Sequence, residues 1–575
     1  MVKKYTFFIS PHLPVCRVFA NLYLMKKIKA YAPYLILFIC SVLLVIRAFF
    51  GFCSSDEPFY LSTTKRLFEM DRIFVDEWFP TQLSSLILLP FYALYVTIRG
   101  NTDGIILFFR LLYVLVTFVL SCVSFRIISK RNGVMTGLAV SLFMLFFAHL
   151  NIATLSYYTM SFEFFVFAFI LFMLQKRSAY VTGGFFFALS VLSLPSLAIA
   201  YVAAFIIILL LSVRFKSLRD GLLWSTVGIM IAGLLFISYL YMSGNSIAGL
   251  LKNLPYVLSD DEHQTSLVAP FKKFFTSISD VYGKIFYLNF VLALLGLVSN
   301  KFKKLVPYIF TLDCILFVYY AIMSLGRTGY MNTALALFAA PLFFMCKKKD
   351  YYSFISLFIG GLIFSMTYSY SSNGELYVLS IGHGIACIAG ILFISDFIKE
   401  NNVLIKYVCA AFVGIFLLQT AALRFINVYR DAPLNRLDTK IAEGPAAGLY
   451  TTKEHYDIYS SLLNDIREYA DEDGYVLFSK LLPWGYLATD MRCAAPTTWR
   501  NKINSERLAQ YYELYEYRVP DVVFVLDADV GSYDTCGDIE ADPAPNENEW
   551  GGALAQYLDP DLFREVRTEH ATIYH

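Results

Sequence analysis

An acidic pair, Asp56 and Glu57, lies a few residues after the end of a strongly apolar stretch of the chain. Pro58 follows directly and suits the first turn of a helix that we predict to run to about Met70. A carboxylate held there could take a proton from a hydroxyl group and act as a general base. The helix dipole also favours carboxylates at helix starts, so simple capping is the competing interpretation.

The composition indicates a polytopic membrane protein. Of the 575 residues, 58% are hydrophobic and only 16% are charged, and the mean hydropathy is +0.57. Soluble domains have a charged share of about a quarter, so a soluble globule is excluded. The net charge of +2 gives no reason to expect a nucleic-acid partner.

Apolar runs of about 17–25 residues predict an α-helical bundle of about thirteen membrane-spanning helices. A further run, 81–98, contains Pro90 and could either cross the bilayer or lie at its surface. The predicted spans are 31–50, 104–127, 134–150, 156–174, 180–195, 197–213, 221–241, 284–299, 305–324, 331–346, 352–370, 376–397 and 403–422.

Lysine and arginine in short loops set the orientation, because cytoplasmic loops are enriched in them. If 81–98 does not cross, the basic clusters are cytoplasmic and the opposite short loops contain a single cation, Arg327. We therefore predict that 51–103 lies outside, with 81–98 as a juxtamembrane or re-entrant helix. An odd number of spans then places the C-terminus outside the cytoplasmic membrane. The cations predicted to be cytoplasmic are Lys26, Lys27, Lys29, Arg126, Lys130, Arg131, Lys176, Arg177, Arg214, Lys216, Arg219, Lys301, Lys303, Lys304, Lys347, Lys348, Lys349 and Lys399.

The composition changes from about Leu423 onward, where charged residues return and hydrophobic runs shorten to strand length. A helix-period segment at 459–469 alternates with strand-like runs at 475–478 and 522–526. This alternation predicts an extracytoplasmic α/β domain over 423–575.

Two further expectations concern the cytoplasmic segment 1–30 and the cysteines of the C-terminal domain. Met25 opens a basic stretch that suits an uncleaved signal anchor, so we expect residues 1–24 to be dispensable. Cys493 and Cys536 are the domain's cysteines, and they could form a disulfide or remain thiols.

The sequence Asp56-Glu57-Pro58-Phe59-Tyr60 heads an unusually long, acidic first external loop. This loop, the juxtamembrane segment, the many spans and the external C-terminal domain together resemble the C-type glycosyltransferase (GT-C) fold of the protein O-mannosyltransferases and the lipid A aminoarabinose transferase. The order of elements is similar over the whole chain, and the likeness in residues is confined to the acidic stretch and to Arg110-Leu111-Leu112. Where many relatives have a His-Pro-Pro-like sequence, this chain has Phe79-Pro80-Thr81-Gln82.

The resemblance implies an inverting transfer from a polyprenyl-phosphate sugar to an envelope glycan, lipid or protein. Asp56 would be the general base, and Glu57 would orient it or contact the acceptor. A cation or a metal ion near the leaving phosphate would lower the barrier.

Arg327 is the candidate for binding the donor phosphate, because it is the only cation of the short outside loops and glycines flank it. The alternative is an interfacial arginine that snorkels. Lys272 and Lys273, in the second long external loop 242–283, compete for the same role.

Several other residues could contact the acceptor or a metal ion. Tyr60, Tyr157 and Tyr158 could stack on a sugar or belong to an aromatic belt. Acids and a histidine in the second long loop could bind Mg²⁺ or Mn²⁺, position the acceptor, or form a solvated turn. These are Asp260, Asp261, Glu262 and His263, and Asp56 is a further metal candidate.

Other features keep different interpretations open. Glu163, Asp313 and His383 fall within predicted spans and should face the bundle interior. In a transporter such residues would mark a proton pathway, so a lipid-linked oligosaccharide flippase or another transporter is the main alternative. An envelope polymer ligase or polymerase is a third alternative.

Trp484 and Trp499 lie in aromatic, turn-rich segments that could touch a glycan or pack in the core of the C-terminal domain.

Overall fold

The protein is mostly helical, with 72% of the computed structural model in helices. Within the described residues, eight helices are long and apolar enough to cross a membrane, or nine if the bent pair Phe271–Tyr282 and Lys284–Ser299 forms one span. This identifies a multi-pass membrane protein. The structure describes residues 14–213, 216–258, 269–371, 375–470, 473–503, 505–527 and 563–575.

The first helix, α1 (Pro14–Ala48), leads into the loop that carries the acidic pair. The helix predicted after that pair is confirmed as α2 (Asp56–Phe68), which is buried along almost its whole length. The 81–98 run forms α3 (Ser85–Arg99), which ends where Gly100 adopts a positive φ of 75°. Such a left-handed residue is the usual stop signal of a helix.

The bundle helices follow α3 in quick succession. Short connections make successive helices antiparallel; a single residue, Gly133, separates α4 from α5. The helices are α4 (Ile105–Asn132), α5 (Val134–Phe146), α6 (Tyr157–Phe172), α7 (Arg177–Ser193), α8 (Leu197–Ser212), α9 (Lys216–Met242), α10 (Ile247–Leu258), α11 (Ala269–Tyr282), α12 (Tyr287–Ser299), α13 (Val306–Met323), α14 (Tyr330–Met345), α15 (Tyr351–Ser353), α16 (Gly360–Ser371), α17 (Leu376–Glu400) and α18 (Val403–Ile426), with a π-helical turn at Phe354–Ile359 between α15 and α16.

The bundle has two chemically different ends. At one end Arg131, in the last turn of α4, pairs with Asp350 at 2.7 Å, and the Lys347 backbone N–H donates to Glu400 at the end of α17. At the other end Asn427, just after α18, donates a 3.1 Å hydrogen bond to Thr328. The C-terminal domain covers this second end, since Gly104 at the start of α4 donates a backbone hydrogen bond to Gly444.

The C-terminal domain contains a five-stranded mixed sheet among its described residues. Its strand order is β5-β3-β7-β9-β8, with β3 parallel to β5 and β7, and β9 antiparallel to β7 and β8. The strands predicted at 475–478 and 522–526 are confirmed as the neighbours β3 and β7. The elements are β1 (Thr439–Lys440), β2 (Tyr450–Thr451), α19 (Lys453–Tyr469), β3 (Tyr475–Phe478), β4 (Lys480–Leu481), α20 (Gly485–Ala488), β5 (Arg492–Cys493), β6 (Arg500–Asn501), α21 (Glu506–Leu514), β7 (Val522–Leu526), β8 (Glu565–Arg567) and β9 (Ala571–Tyr574).

A buried ionic network fastens the first loop to this domain. Arg66 of α2 contacts Asp71 at 2.7 Å and Glu77 at 2.8 Å, and Arg518 contacts Asp71 at 2.6 Å. Burial alone would raise the pKa of Asp71, but the two guanidinium groups together hold it below its ordinary value. Removing one partner of such a buried network costs about 3–5 kcal/mol, so the loop and the domain are held as one unit.

Candidate functional site

Asp56 lies at the bundle end that the C-terminal domain covers. Its Oδ2 accepts a 2.7 Å hydrogen bond from the Tyr429 hydroxyl and lies 3.3 Å from Arg430 Nη1. The Tyr60 hydroxyl, one turn along α2, donates to Oδ1 at 3.4 Å. The carboxylate is thus held by three groups, yet its side chain keeps 12% of its surface exposed. It is shielded from bulk solvent and still reachable.

The two phenols remain hydrogen-bond donors to this carboxylate. Burial, and after it the negative charge of Asp56, raises the pKa of both Tyr60 and Tyr429. Both hydroxyls therefore keep their protons at neutral pH and point them at the carboxylate.

A short segment after α18, residues 427–431, connects the bundle to the C-terminal domain; we call it the connector. Its Arg430 donates to the Ser55 hydroxyl as well as pairing with Asp56. The backbone φ of Arg430 is +49°, a left-handed conformation that costs a non-glycine residue energy. The surrounding contacts hold this conformation and aim the guanidinium at the start of α2.

The connector is also bound to the C-terminal domain through Asp431. This carboxylate accepts hydrogen bonds from the Phe52 backbone N–H at 2.6 Å and from the Thr451 hydroxyl at 2.8 Å. His455 Nδ1 lies 2.9 Å from its other oxygen. Consecutive connector residues thus hold both the acidic pair and the domain above it.

Glu57 points away from Asp56, as consecutive residues on a helix must. Its carboxylate forms a bidentate pair with Arg110 of α4, with Nε at 3.0 and 3.2 Å and Nη2 at 2.5 Å. Glu57 Oε1 also accepts from the Ala153 backbone N–H at 3.3 Å, and Arg110 donates to Ala48 O at 2.9 Å. Glu57 therefore anchors the start of α2 to the bundle and positions Asp56.

An aromatic cluster lies beside Asp56 and begins at Tyr60. The Tyr60 and Tyr157 rings are 5.6 Å apart, and those of Tyr157 and Tyr158 are 4.0 Å apart. His149 packs 4.4 Å from Tyr158 and 6.1 Å from Tyr377. All three predicted tyrosines therefore lie together beside the acidic pair.

His149 is the polar centre of that cluster. Burial lowers its pKa to about 3, so the imidazole is neutral at physiological pH. The two residues after it, Leu150 and Asn151, both have positive φ angles, 49° and 63°. Asn151 fixes this unusual turn by donating to Leu423 O at 2.8 Å and accepting from Arg424 Nη1 at 2.8 Å.

Arg327 lines a small pocket near the connector, and half of the residues around this pocket are polar. Its guanidinium stacks 5.4 Å from the Tyr330 ring. Gly329 allows the loop to approach α17, because a Cβ there would lie 2.4 Å from Ser380 Oγ and its φ is +84°. The other polar residues of the pocket are Asn151, Thr328, Asn332, Gln419 and Thr420.

Asp56 does not line this pocket, but the connector joins the two sites. The Asn427 side chain bonds to Thr328, next to Arg327, and the Tyr429 hydroxyl bonds to Asp56. The candidate base and the candidate phosphate ligand therefore lie on either side of one short segment.

The competing lysines lie on α11, in the second long loop. Lys272 is exposed, and Lys273 is partly buried within electrostatic range of Glu375, just before α17. The ring of the next residue, Phe274, packs 5.7 Å from His383. Helix α11 thus rests on the outer part of α17, on the same end of the bundle as Arg327.

Several predicted residues lie outside the described part of the chain. They are Asp260, Asp261, Glu262, His263 and Cys536. Within the described residues, no group of three or more histidine, cysteine, aspartate or glutamate side chains could hold a metal ion. Asp56 is surrounded by an arginine and phenols instead of further carboxylates, and this environment does not fit a divalent cation.

Glu163, Asp313 and His383, the three span residues predicted to face the interior, are all buried. Glu163 accepts a 2.6 Å hydrogen bond from Thr117, and Asp313 accepts one of 3.3 Å from Asn289. His383 Nδ1 lies 2.7 Å from the Thr333 hydroxyl. These side chains have protein partners, as ionisable residues in a bilayer require.

The tryptophans of the C-terminal domain pack against other rings. Trp484 is 2% exposed and lies 4.5 Å from Tyr459. Trp499 lies 5.1 Å from Phe59 of α2, so it belongs to the junction between the loop and the domain.

Tyr429, Arg430 and His149 were not predicted from the sequence as site residues. The available signal for Tyr429 and Arg430 was their position a few residues after the last span, on the side assigned to Asp56, whereas His149 fell within the predicted run 134–150, and the helix there, α5, ends at Phe146. Arg430 lies four residues after α18, on a side whose short loops are otherwise poor in cations, and is the clearest of these signals.

No model of a known protein family matches the chain, and a search of curated proteins found no match. The functional argument therefore rests on the site itself.

Proposed function

We propose that the protein is an inverting glycosyltransferase of the C-type fold that uses a polyprenyl-phosphate sugar at the outer face of the cytoplasmic membrane. The observation that carries this proposal is the position of Asp56, a reachable carboxylate at one end of a membrane bundle, beside an aromatic cluster. Aromatic walls with a few placed polar groups are typical of small-molecule sites.

The topology in this proposal comprises about thirteen spans: α1, α4 to α9, α12 to α14, and α16 to α18. We place α3 at the membrane surface, although its composition would allow crossing. The hydroxyl of Ser85, at the start of α3, donates a hydrogen bond to Tyr60 O, and the hydroxyl of Thr102, just past the end of α3, donates one to Leu487 O. Both ends of α3 therefore contact the side of the bundle that the C-terminal domain covers.

In the proposed reaction, Asp56 takes the proton of an acceptor hydroxyl while that oxygen attacks the anomeric carbon. The bond from this carbon to the phosphate oxygen breaks, and polyprenyl phosphate leaves with the electron pair. A single displacement inverts the anomeric centre. Tyr60 and Tyr429 hold the carboxylate in place, and Arg430, with 26% of its side chain exposed, can turn towards the substrate.

Arg327 supports the part of the proposal that concerns the donor, a polyprenyl-phosphate sugar. Its pocket offers a guanidinium together with amide and hydroxyl groups, which suit phosphate oxygens. A cation there would stabilise the charge that develops on the leaving phosphate. We assign no step to a metal ion.

A second candidate, a transporter, is favoured by one specific observation. Along α4, buried polar residues recur at helical spacing on one face, and Glu163 of α6 bonds to this face through Thr117. Such a polar face inside a bundle is the kind of feature that an ion pathway uses. The residues on that face are Arg110, Tyr113, Thr117, Ser121 and Ser124. Ion or lipid flux in proteoliposomes that stops in Glu163→Gln and persists in Asp56→Asn would favour this candidate.

The test of the glycosyltransferase proposal is Asp56→Asn. The amide keeps the size and the acceptor oxygen but cannot take the proton, so transfer of labelled sugar should fall by roughly 10²–10⁴-fold. Donor binding and the folded state should be nearly unchanged. Asp438→Asn, an exposed carboxylate after the connector, is the matched control and should keep full activity. Wild-type transfer by Asp56→Asn, with a donor and acceptor pair that the wild type uses, would reject the proposal.

A further inference from the structure

A group of lysines lies at the end of the bundle away from Asp56. Two loops contribute them, the one between α12 and α13 and the one between α14 and α15. The Asn300 side chain of the first loop donates a 2.9 Å hydrogen bond to Phe344 O, beside the second loop, so the two loops are neighbours. We call this group the lysine patch, and its residues are Lys301, Lys303, Lys304, Lys347, Lys348 and Lys349.

Two ammonium groups of the lysine patch lie side by side. Lys303 and Lys347, one from each loop, are within hydrogen-bonding distance of each other, and this neighbour lowers the pKa of Lys303. Like charges repel, so their approach is unfavourable for the protein alone. Both side chains are exposed, which leaves them open to a partner. An anion between the two loops would replace this repulsion with attraction.

The carboxylates near the lysine patch leave most of its charge uncompensated. Glu400, at the end of α17, is within electrostatic range of Lys303. Its two oxygens, however, accept hydrogen bonds of 2.9 and 3.1 Å from the backbone N–H groups of residues 347–348. Asp350, which follows the patch, pairs with Arg131 at 2.7 Å. The patch therefore has an excess of positive charge.

An apolar surface of the bundle borders the lysine patch. Phe302, between the lysines of the first loop, is 61% exposed, and Tyr308, in the first turn of α13, is 75% exposed. Exposed apolar side chains continue along both neighbouring helices, with Val298 on α12 and Ile315 on α13. A free phosphate ion would contact only the lysines, whereas the acyl chains of a phospholipid would also cover this surface. Cations next to the lipid-facing part of a helix are typical of sites for anionic lipids.

The lysine patch is far from the candidate base. Helix α4 carries both Arg110, which pairs with Glu57 beside Asp56, and Arg131, which pairs with Asp350 beside the patch. A rise of 1.5 Å per residue places these two arginines about 30 Å apart along the helix. A molecule held at the patch is therefore distinct from a sugar donor that reacts at Asp56.

We propose that the lysine patch binds the phosphate headgroup of an anionic phospholipid in the adjoining leaflet, which is the cytoplasmic leaflet in the proposed topology. The phosphate lies between Lys303 and Lys347, and the acyl chains lie along α12 and α13. The bound lipid thus joins two loops whose lysines otherwise repel each other. This site does not depend on the proposed glycosyltransferase function.

The experiment counts bound lipids by native mass spectrometry. Full-length protein in a neutral detergent is titrated with phosphatidylglycerol and, separately, with phosphatidylcholine. Phosphatidylglycerol should bind more tightly, and the double variant Lys303→Gln with Lys347→Gln should weaken its binding by roughly tenfold or more. Lys303→Arg with Lys347→Arg keeps both charges and should bind like the wild type. Thermal unfolding verifies that each variant is folded.

The matched control is Lys130→Gln with Lys176→Gln, which removes two exposed lysines from the same end of the bundle but outside the patch. It should bind phosphatidylglycerol like the wild type. The inference is overturned if phosphatidylcholine binds as tightly, if the glutamine variant keeps its affinity, or if the control or the arginine variant loses as much. Displacement of the lipid by an equal concentration of inorganic phosphate would also overturn it, because the site would then belong to a free anion.

Discussion

The Tyr429 hydroxyl donates a 2.7 Å hydrogen bond to Asp56 across 373 residues of sequence. This hydrogen bond joins α2, the helix that follows the first apolar segment, to the connector, which follows the last apolar segment. The neighbouring residue, Arg430, pairs with the same carboxylate. The environment of Asp56 is therefore set by residues that precede and follow almost the whole membrane bundle in the sequence.

The Glu57–Arg110 pair should be an anchor whose loss costs stability. Glu57→Gln leaves the buried Arg110 charge uncompensated, which should destabilise the protein by about 3–5 kcal/mol. Replacing both partners, as in Glu57→Leu with Arg110→Met, should recover much of that loss. Thermal unfolding in detergent measures the effect. Glu443→Gln, which breaks the exposed pair with Arg467, should change nothing measurable, and an equal loss there would contradict the assignment.

Arg327 should affect the use of the donor. In Arg327→Ala the apparent KM for the polyprenyl-phosphate sugar should rise, while Arg327→Lys should keep partial function because the charge remains. Steady-state transfer at varied donor concentration measures both. Lys272→Ala removes an exposed cation on α11 and should behave like the wild type. Normal kinetics in Arg327→Ala with a loss in Lys272→Ala would move the phosphate site to α11.

His149 should make the protein sensitive to acid. Its pKa is about 3 in the fold and near 6.5 in the unfolded chain, so the unfolded state binds the proton first as pH falls. This contribution to stability is complete above about pH 6.5 and declines towards pH 3, by up to about 1.4 kcal/mol per pH unit. His149→Phe should flatten the decline in unfolding curves recorded across this range. An equally steep decline in the variant would assign the acid sensitivity to other groups.

The distribution of cations predicts the sidedness of the bundle. Reporter fusions after Asn427 and after Lys348 should report opposite sides of the membrane, with Asn427 outside. If Lys348 reports the outside and Asn427 the cytoplasm, α3 crosses the bilayer and the assignment of the C-terminal domain to the outer face fails.

Local signals predicted the elements that carry the acidic pair. A proline after two acids predicts the start of α2, and runs of β-branched and aromatic residues predict β3 and β7. These signals depend on neighbours in sequence, so a single chain is sufficient to find them. Tyr157 and Tyr158, at the start of α6, could likewise be found from their neighbours in sequence.

The partners of Asp56 could not be found in this way. The approach of Tyr429 and Arg430 to the carboxylate depends on the packing of every intervening helix, and no local pattern encodes it. The role of Arg110 likewise becomes visible only when α4 lies beside α2. The long external loop 242–283 contains two helices, α10 and α11, for which the sequence analysis made no prediction.

The connector also has a consequence for the order in which the protein is made. The ribosome completes Asp56 among the first tenth of the chain, but Tyr429 and Arg430 emerge only after α18 has been synthesised. Until then the carboxylate has neither of these partners. A nascent chain halted just before residue 429 would contain all the helices of the membrane part and still lack these two contacts, so the environment of Asp56 is complete only in molecules whose membrane part is complete.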